Sequence, residues 1–175
     1  MEWQRMDGIY TVKKLYWGKC PLVFIPKKRY GKDMRIYLDN CAFNRPFDDQ
    51  NQLKIKLETE AKLFIQQSIL NGDFELVWSY ILEYENSQNR FDDRRNAVSD
   101  WKKIAKTHCV ANDSIEQYAE NLKQMGIRTK DALHIACAVY SKCNYFITTD
   151  KQLFKLKLKE IEITNPLNFI NELED

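Results

Sequence analysis

The stretch RIYLDNCAFNRPFDDQ, residues 35–50, decides how the rest of the chain is read. Ile36, Tyr37 and Leu38 form a short apolar strand that runs straight into Asp39, then Asn40, Asn44 and Arg45. A carboxylate at the end of a buried strand is costly unless a hydrogen bond, a basic partner or a metal compensates it.

Outward from that strand, apolar runs of strand length alternate with segments of helical period. Residues 51–70 carry Leu53, Leu57, Ala61, Phe64, Ile65 and Leu70 at helical spacing, and Asn71-Gly72 ends the helix. Strands are predicted at 74–78, 108–111, 145–149 and 161–164. Ser79 is placed to cap a helix from Tyr80, and a polar helix follows over 90–105. Asp113 with Glu116 opens a helix over 114–125 that Gly126 closes, and Thr129 caps an almost wholly apolar helix. A helix start is predicted at 150–156, and Pro166 stands near the start of the last helix. Strands alternating with helices argue for an α/β architecture with a mainly parallel sheet.

The totals fit one domain, here 34–175, with a distinct segment at 1–33. That segment and Met34-Arg35 carry nine Lys and Arg against three acids, whereas the remainder carries 18 against 22, so the basic excess is confined to the start. Within 1–33, short strands are expected around Gly18 and a basic linker at 27–33. No apolar run reaches the roughly 20 residues needed to span a bilayer, and the first residues lack the apolar core of a signal peptide. Five cysteines without a CxxC pair read as reduced thiols of a cytoplasmic protein. No glycine-rich phosphate loop is present.

In such folds ligands bind at the carboxyl ends of the strands. Asp39 follows the first strand, Glu85 lies one to two turns into the next helix, Asp131 is in the first turn of the Thr129 helix, and Asp150 follows strand 145–149. Taken singly, Asp131 or Asp150 is an ordinary partner of a helix dipole. Four acids at one sheet end repel one another, and divalent cations relieve that repulsion. Carboxylate-rich sites suit Mg2+ or Mn2+, which activate water and offset charge on a phosphodiester. His134 shares a helix face with Asp131 and reads as a core or supporting residue. The Trp and Tyr residues are spread along the chain and read as packing, not as a stacking platform.

The segments IYLDN, WSYILEYE, GIRTKDALHIACA and YFITTDKQLF together resemble a PIN domain over about residues 34–170. The resemblance implies a three-layer α/β/α sandwich around a mainly parallel sheet. It implies an Mg2+- or Mn2+-dependent ribonuclease in which Asp39, Glu85, Asp131 and Asp150 hold the metal and hydrolysis leaves a 5′-phosphate and a 3′-hydroxyl. VapC-type toxins are similar, which implies RNA as substrate, an antitoxin protein as partner and a homodimer. Asn40 stands where many members have Thr or Ser. Asn40, Arg45, Thr148 and Thr149 are the candidate phosphate-positioning residues, while Asp48 and Asp49 read as solvated. Of the two neighbouring acids Glu83 and Glu85, the helix phase assigns Glu85 to the inward face and Glu83 to solvent.

Two other readings remain at this point. One is a non-catalytic RNA- or protein-binding module of the same fold, which the presence of all four acids argues against. The other is a phospho-receiver with Asp39 as acceptor, which lacks the second acid at the first strand. Because the basic segment precedes the first family-like strand, a chain begun at Met34 is expected to fold and cleave RNA, with RNA binding weakened most at high salt. Salt-dependent binding of the two chains is the measurement, and an insoluble shortened chain would assign residues 1–33 to the core.

Overall fold

A computed structural model of the chain describes residues 34–174 and the backbone of two N-terminal strands, β1 (Trp3–Met6) and β2 (Ile9–Val12). These two pair as an antiparallel hairpin, Trp3 opposite Val12 and Met6 opposite Ile9. The expected strand at 21–26 and the basic linker at 27–33 lie outside the described residues.

Five further strands form one sheet: β3 (Arg35–Leu38), β4 (Glu75–Ser79), β5 (Thr107–Cys109), β6 (Tyr145–Ile147) and β7 (Glu162–Thr164). Their order is β5-β4-β3-β6-β7, and every pairing is parallel. β3 is central, with Tyr37 opposite both Val77 and Phe146. Parallel strands need crossovers, and the crossovers lay helices on both faces of the sheet. Ile36, Tyr37 and Leu38 are therefore all 0% exposed, although successive side chains point to opposite faces. Tyr37, Val77, Phe146 and Ile163 point to one layer, which contains α5 (Asp113–Gln124) and α6 (Thr129–Tyr140). Ile36, Leu38, Leu76, Trp78 and Ile147 point to the other, with α1 (Asn40–Asn44), α2 (Leu53–Leu70) and α7 (Pro166–Glu174). The result is a three-layer α/β/α sandwich. α3 (Tyr80–Ser87) follows β4, and α4 (Asp92–Ser99) continues into a short 3-10 turn, Asp100–Lys103, so the expected helix over 90–105 is two pieces.

Several local expectations shift. Ser79 does cap α3, accepting from Leu82 N at 3.2 Å. The cap of α5 is Asn112, which accepts from Ile115 N, and not Asp113, which is the first helical residue. Thr129 is likewise inside α6, whose N-cap is Arg128. The helix start at 150–156 is a single 3-10 turn, Leu153–Lys155.

The largest correction is the phase of α2. Leu53, Leu57 and Leu70 are 72, 45 and 39% exposed, whereas Glu58, Thr59, Lys62 and Gln66 are buried. Eighteen residues span about 27 Å, roughly twice the length of a four-residue strand, so the helix ends overhang the sheet. Its middle is buried through partners: Glu58 meets Arg45 Nη2 at 2.8 Å, and Thr59 donates to the Arg45 carbonyl. Arg45 Nη1 holds Asp48 at 2.9 Å. Its guanidinium is thus tied down on both sides, and the expectation that Arg45 positions phosphate gives way to a structural role.

Lys62 is the exception on this helix, because among the described residues no carboxylate pairs with it. Its ammonium lies 5.8 Å from the Phe43 ring centroid, and burial pulls its pKa from 10.5 down to about 7. Between those values the unfolded chain binds the extra proton, so stability rises with pH across that window, by up to about 1.4 kcal/mol per pH unit. At and below pH 7 the whole penalty is present. Lys62→Met should therefore be more stable than the wild type near neutrality, and the gain should shrink as pH rises. Urea midpoints at about pH 6 and about pH 9 check this.

Candidate metal centre

The strand order reverses at β3, whose two neighbours β4 and β6 are reached in opposite directions. A crevice opens beyond the carboxyl ends of the strands at such a switch point, and Asp39 stands there as the N-cap of α1. Asp39 N donates to the Ile147 carbonyl at 3.0 Å, which fixes its backbone to β6. Its side chain is held by three donors. Oδ1 accepts from Asn40 N at 2.7 Å, and Oδ2 accepts from Thr148 Oγ1 at 2.7 Å and from Cys41 Sγ at 3.0 Å. Burial and the Asp39 charge push the Cys41 thiol up to about 12, so it stays a donor. Thr148 is fully buried, and its oxygen also accepts from Asp150 N. Its hydroxyl therefore grips Asp39 and is not available to a phosphate, contrary to expectation. Thr149 donates its N–H to Cys41 Sγ.

Glu85 reaches the same place from α3. Its Oε2 lies 3.0 Å from His134 Nε2 and its Oε1 3.3 Å from Lys130 Nζ. Burial alone would raise this carboxyl, but His134 and Lys130 outweigh it and hold it below the usual range. With Glu85 ionised, His134 Nε2 carries the proton, because a carboxylate only accepts. In the neutral ring Nδ1 then accepts from the Tyr37 hydroxyl at 2.7 Å, Tyr37 accepts from Ser79, and Ser79 accepts from Leu82 N. Every member of this buried chain is satisfied. His134 Nε2 is also 4.0 Å from Asp39 Oδ1. Glu83, two residues from Glu85, points away and pairs with Lys102 at 2.7 Å.

Asp131 sits in the first turn of α6 and is half-buried. Burial and then the charges of Asp39 and Asp150 hold its carboxyl above the ordinary range. Asp150, half-buried after β6, accepts from Gln152 N at 2.8 Å. One donor atom each from Asp39, Glu85 and His134 lies within 4.8 Å of the other two. This donor set is rich in carboxylate oxygen, and the raised Asp131 carboxyl records repulsion that a cation would relieve. The residues therefore fit a hard divalent ion, held by the carboxylates, with His134 orienting Glu85 through its N–H.

Sequence reasoning missed the polar bracket on the α4 side. Asn44 Nδ2 donates to the carbonyl and Oδ1 of Asn40, and Asn89 Nδ2 donates to Asn44 Oδ1. The chain next runs to Phe91, 57% exposed, with the Arg94 guanidinium 4.3 Å from its ring centroid and 5.3 Å from that of Phe47. Between α6 and α3, Lys130 lies 5.9 Å from the centroid of Tyr84, which is 55% exposed. The reading of Tyr residues as packing fails at Tyr84. No helical pattern marked it, because its exposure follows from the neighbouring inward positions of Ile81, Leu82 and Glu85.

The PIN domain family matches residues 36–159. The chain belongs to the PIN domain family. PIN domains are generally metal-dependent nucleases. Among solved structures, FitAcB from Neisseria gonorrhoeae is similar, at 16% identity and TM-score 0.50, covering 75% of this chain and 98% of that one. VapBC2 from Rickettsia felis, bound to a promoter DNA fragment, is 15% identical with TM-score 0.49, covering 75% and 98%. VapBC-5 of Mycobacterium tuberculosis is 14% identical with TM-score 0.45 and the same coverage. No curated protein matches the chain at a significant level. No helix among the described residues is long and apolar enough to cross a membrane.

The two neighbouring acids of α3 separate a site role from a surface role. Glu85→Gln should weaken Mn2+ binding about 10–100-fold while keeping the fold, and Glu83→Gln should leave it near wild type. Calorimetric titration with Mn2+ makes the comparison, and the reverse ranking would remove Glu85 from the centre.

Proposed function

We propose that this PIN domain is an endoribonuclease dependent on Mg2+ or Mn2+. The observation that carries the reading is the convergence of Asp39, Glu85 and His134 on the switch-point crevice, with donors arranged around the Asp39 and Glu85 carboxylates and Asp131 close enough to feel the charge of Asp39. Asp39, Glu85, Asp131 and Asp150 would hold the ion. When bound, a divalent ion lowers the pKa of water and offsets charge that builds on the phosphate.

The residues of the chain do the rest. Asn40 N–H, Thr148 and Cys41 fix the plane of the Asp39 carboxylate. Tyr37 and His134 fix Glu85. Lys130 with Tyr84 and Arg94 with Phe91 each offer a cation for phosphate beside an exposed ring for a base. A ring can stack only on an unpaired base, so this pairing favours a single strand over a duplex. Hydrolysis breaks the P–O3′ bond and leaves a 5′-phosphate and a 3′-hydroxyl. By analogy with the VapBC and FitAcB proteins, the chain would act as the toxin of a toxin–antitoxin pair, as a cytoplasmic homodimer held by an antitoxin.

Labelled single-stranded RNA should be cut with Mn2+, and EDTA should stop the reaction. Asp39→Asn should fall to background, and full activity in that variant would refute the assignment. Phe91→Ala should raise KM about tenfold with little change in kcat, since base stacking contributes about 1–3 kcal/mol. An unchanged KM would remove the stacking role.

A further inference from the structure

His134 brings an imidazole into a crevice otherwise furnished by carboxylates. The residue is 1% exposed, and its Nε2 lies 3.0 Å from Glu85 Oε2 and 4.0 Å from Asp39 Oδ1. Two atoms bonded to one ion at about 2.1 Å are themselves roughly 3–3.5 Å apart when they are neighbours around it. Nε2 and Oε2 therefore stand at the spacing of adjacent ligands, with Asp39 just beyond it. The ring is placed to ligate an ion as well as to orient Glu85.

Without an ion, Nε2 carries the ring proton and donates it to Glu85. A nitrogen that ligates must be bare, and the partner of the other ring nitrogen decides whether it can be. Here Nδ1 faces the Tyr37 hydroxyl at 2.7 Å, and the Ser79 hydroxyl stands behind that. A hydroxyl both donates and accepts. With the proton on Nε2, Ser79 donates to Tyr37 and Tyr37 donates to Nδ1. With the proton on Nδ1, Nδ1 donates to Tyr37 and Tyr37 donates to Ser79. Tyr37 and His134 stay paired in both states, in a buried place where an orphaned ring N–H would be costly. A carboxylate or a lysine behind Nδ1 would have fixed one tautomer, whereas Tyr37 admits both.

We propose that His134 changes tautomer for a transition ion of the zinc class and ligates it through Nε2, whereas with Mg2+ it remains the donor that orients Glu85. One proton leaves Nε2 for solvent and one enters at Nδ1, so the ring stays neutral. The inference rests on the crevice being a metal centre. Imidazole suits Zn2+, Fe2+ and Ni2+, whereas Mg2+ takes oxygen ligands. A metal-bound histidine ordinarily donates its other N–H to an outer partner, and Tyr37 is that partner here. Ions of equal charge are thereby told apart at one residue.

Full-length protein with 15N-labelled histidine, titrated separately with Mg2+ and Zn2+, tests this by NMR. With Mg2+ the proton of His134 should stay on Nε2. With Zn2+ it should appear on Nδ1, and the Nε2 signal should move as that of a metal-bound nitrogen. In His134→Gln the amide keeps an N–H for Glu85 but has no ring lone pair. Calorimetry should then show Zn2+ affinity falling about 10–100-fold relative to Mg2+. Equal changes for the two ions, or a proton that stays on Nε2 with Zn2+ bound, would overturn the proposal. So would Zn2+ held at the cysteines with the His134 signals unmoved. The wild-type spectra decide even where the variant fails to fold. If neither ion binds in the crevice, the metal centre itself falls. The expected spectra without RNA cleavage would remove the nuclease reading alone.

Discussion

Mutual repulsion of carboxylates at one end of a parallel sheet is the constraint that the rest of this structure answers. Parallel strands point the same way, so the residues that follow them converge, together with the first turns of α3 and α6. Those helix starts carry partial positive charge and unsatisfied N–H groups, which favour anions. Asp39 is compensated by three donors and Glu85 by an imidazole and an ammonium. Burial and then the charges of Asp39 and Asp150 raise the carboxyl of Asp131. The same geometry that makes the crevice electrostatically uncomfortable makes it a place where a cation binds.

The buried hydrogen-bond chain ties two helices to two strands through polar atoms alone. It begins at the Leu82 N–H of α3, passes through Ser79 at the end of β4, Tyr37 of β3 and His134 of α6, and returns to α3 at Glu85. A closed circuit of this kind sets the distance between α3 and α6 more tightly than apolar packing does, since each bond has a narrow range of length and angle. The helix that supplies one ligand candidate is thereby fixed to the helix that supplies another.

Much of this was legible in the sequence, for reasons that also explain what was not. Strands buried on both faces read as unbroken apolar runs, and their ends mark the crevice, so Asp39 and Asp150 could be located by position alone, and Asp131 by its place in the first turn of α6. Glu85 followed from helix phase, because α3 is short and lies wholly over the core. The same reasoning failed on α2, where length carries leucines past the sheet and pairing with Arg45 draws Glu58 inward. Such burial depends on a partner 13 residues away, which periodicity does not report. Cys41 was invisible because a thiol donor to a carboxylate looks like any small core residue. Thr148 was read as facing substrate, yet directly after β6 it gives its hydroxyl proton to Asp39.

The position of β3 has a consequence for how the protein is made. β3 is the first strand of the sheet to be synthesised, but its partner β6 comes far later, and the bond between Thr148 and Asp39 spans 109 residues. Contacts of such separation form late, because the intervening chain must first be ordered. On the ribosome Asp39 is therefore without this support until Thr148 has emerged. The centre is assembled only once residues 145–150 have emerged, so a shorter nascent chain carries Asp39 and Glu85 without the arrangement that would let them work.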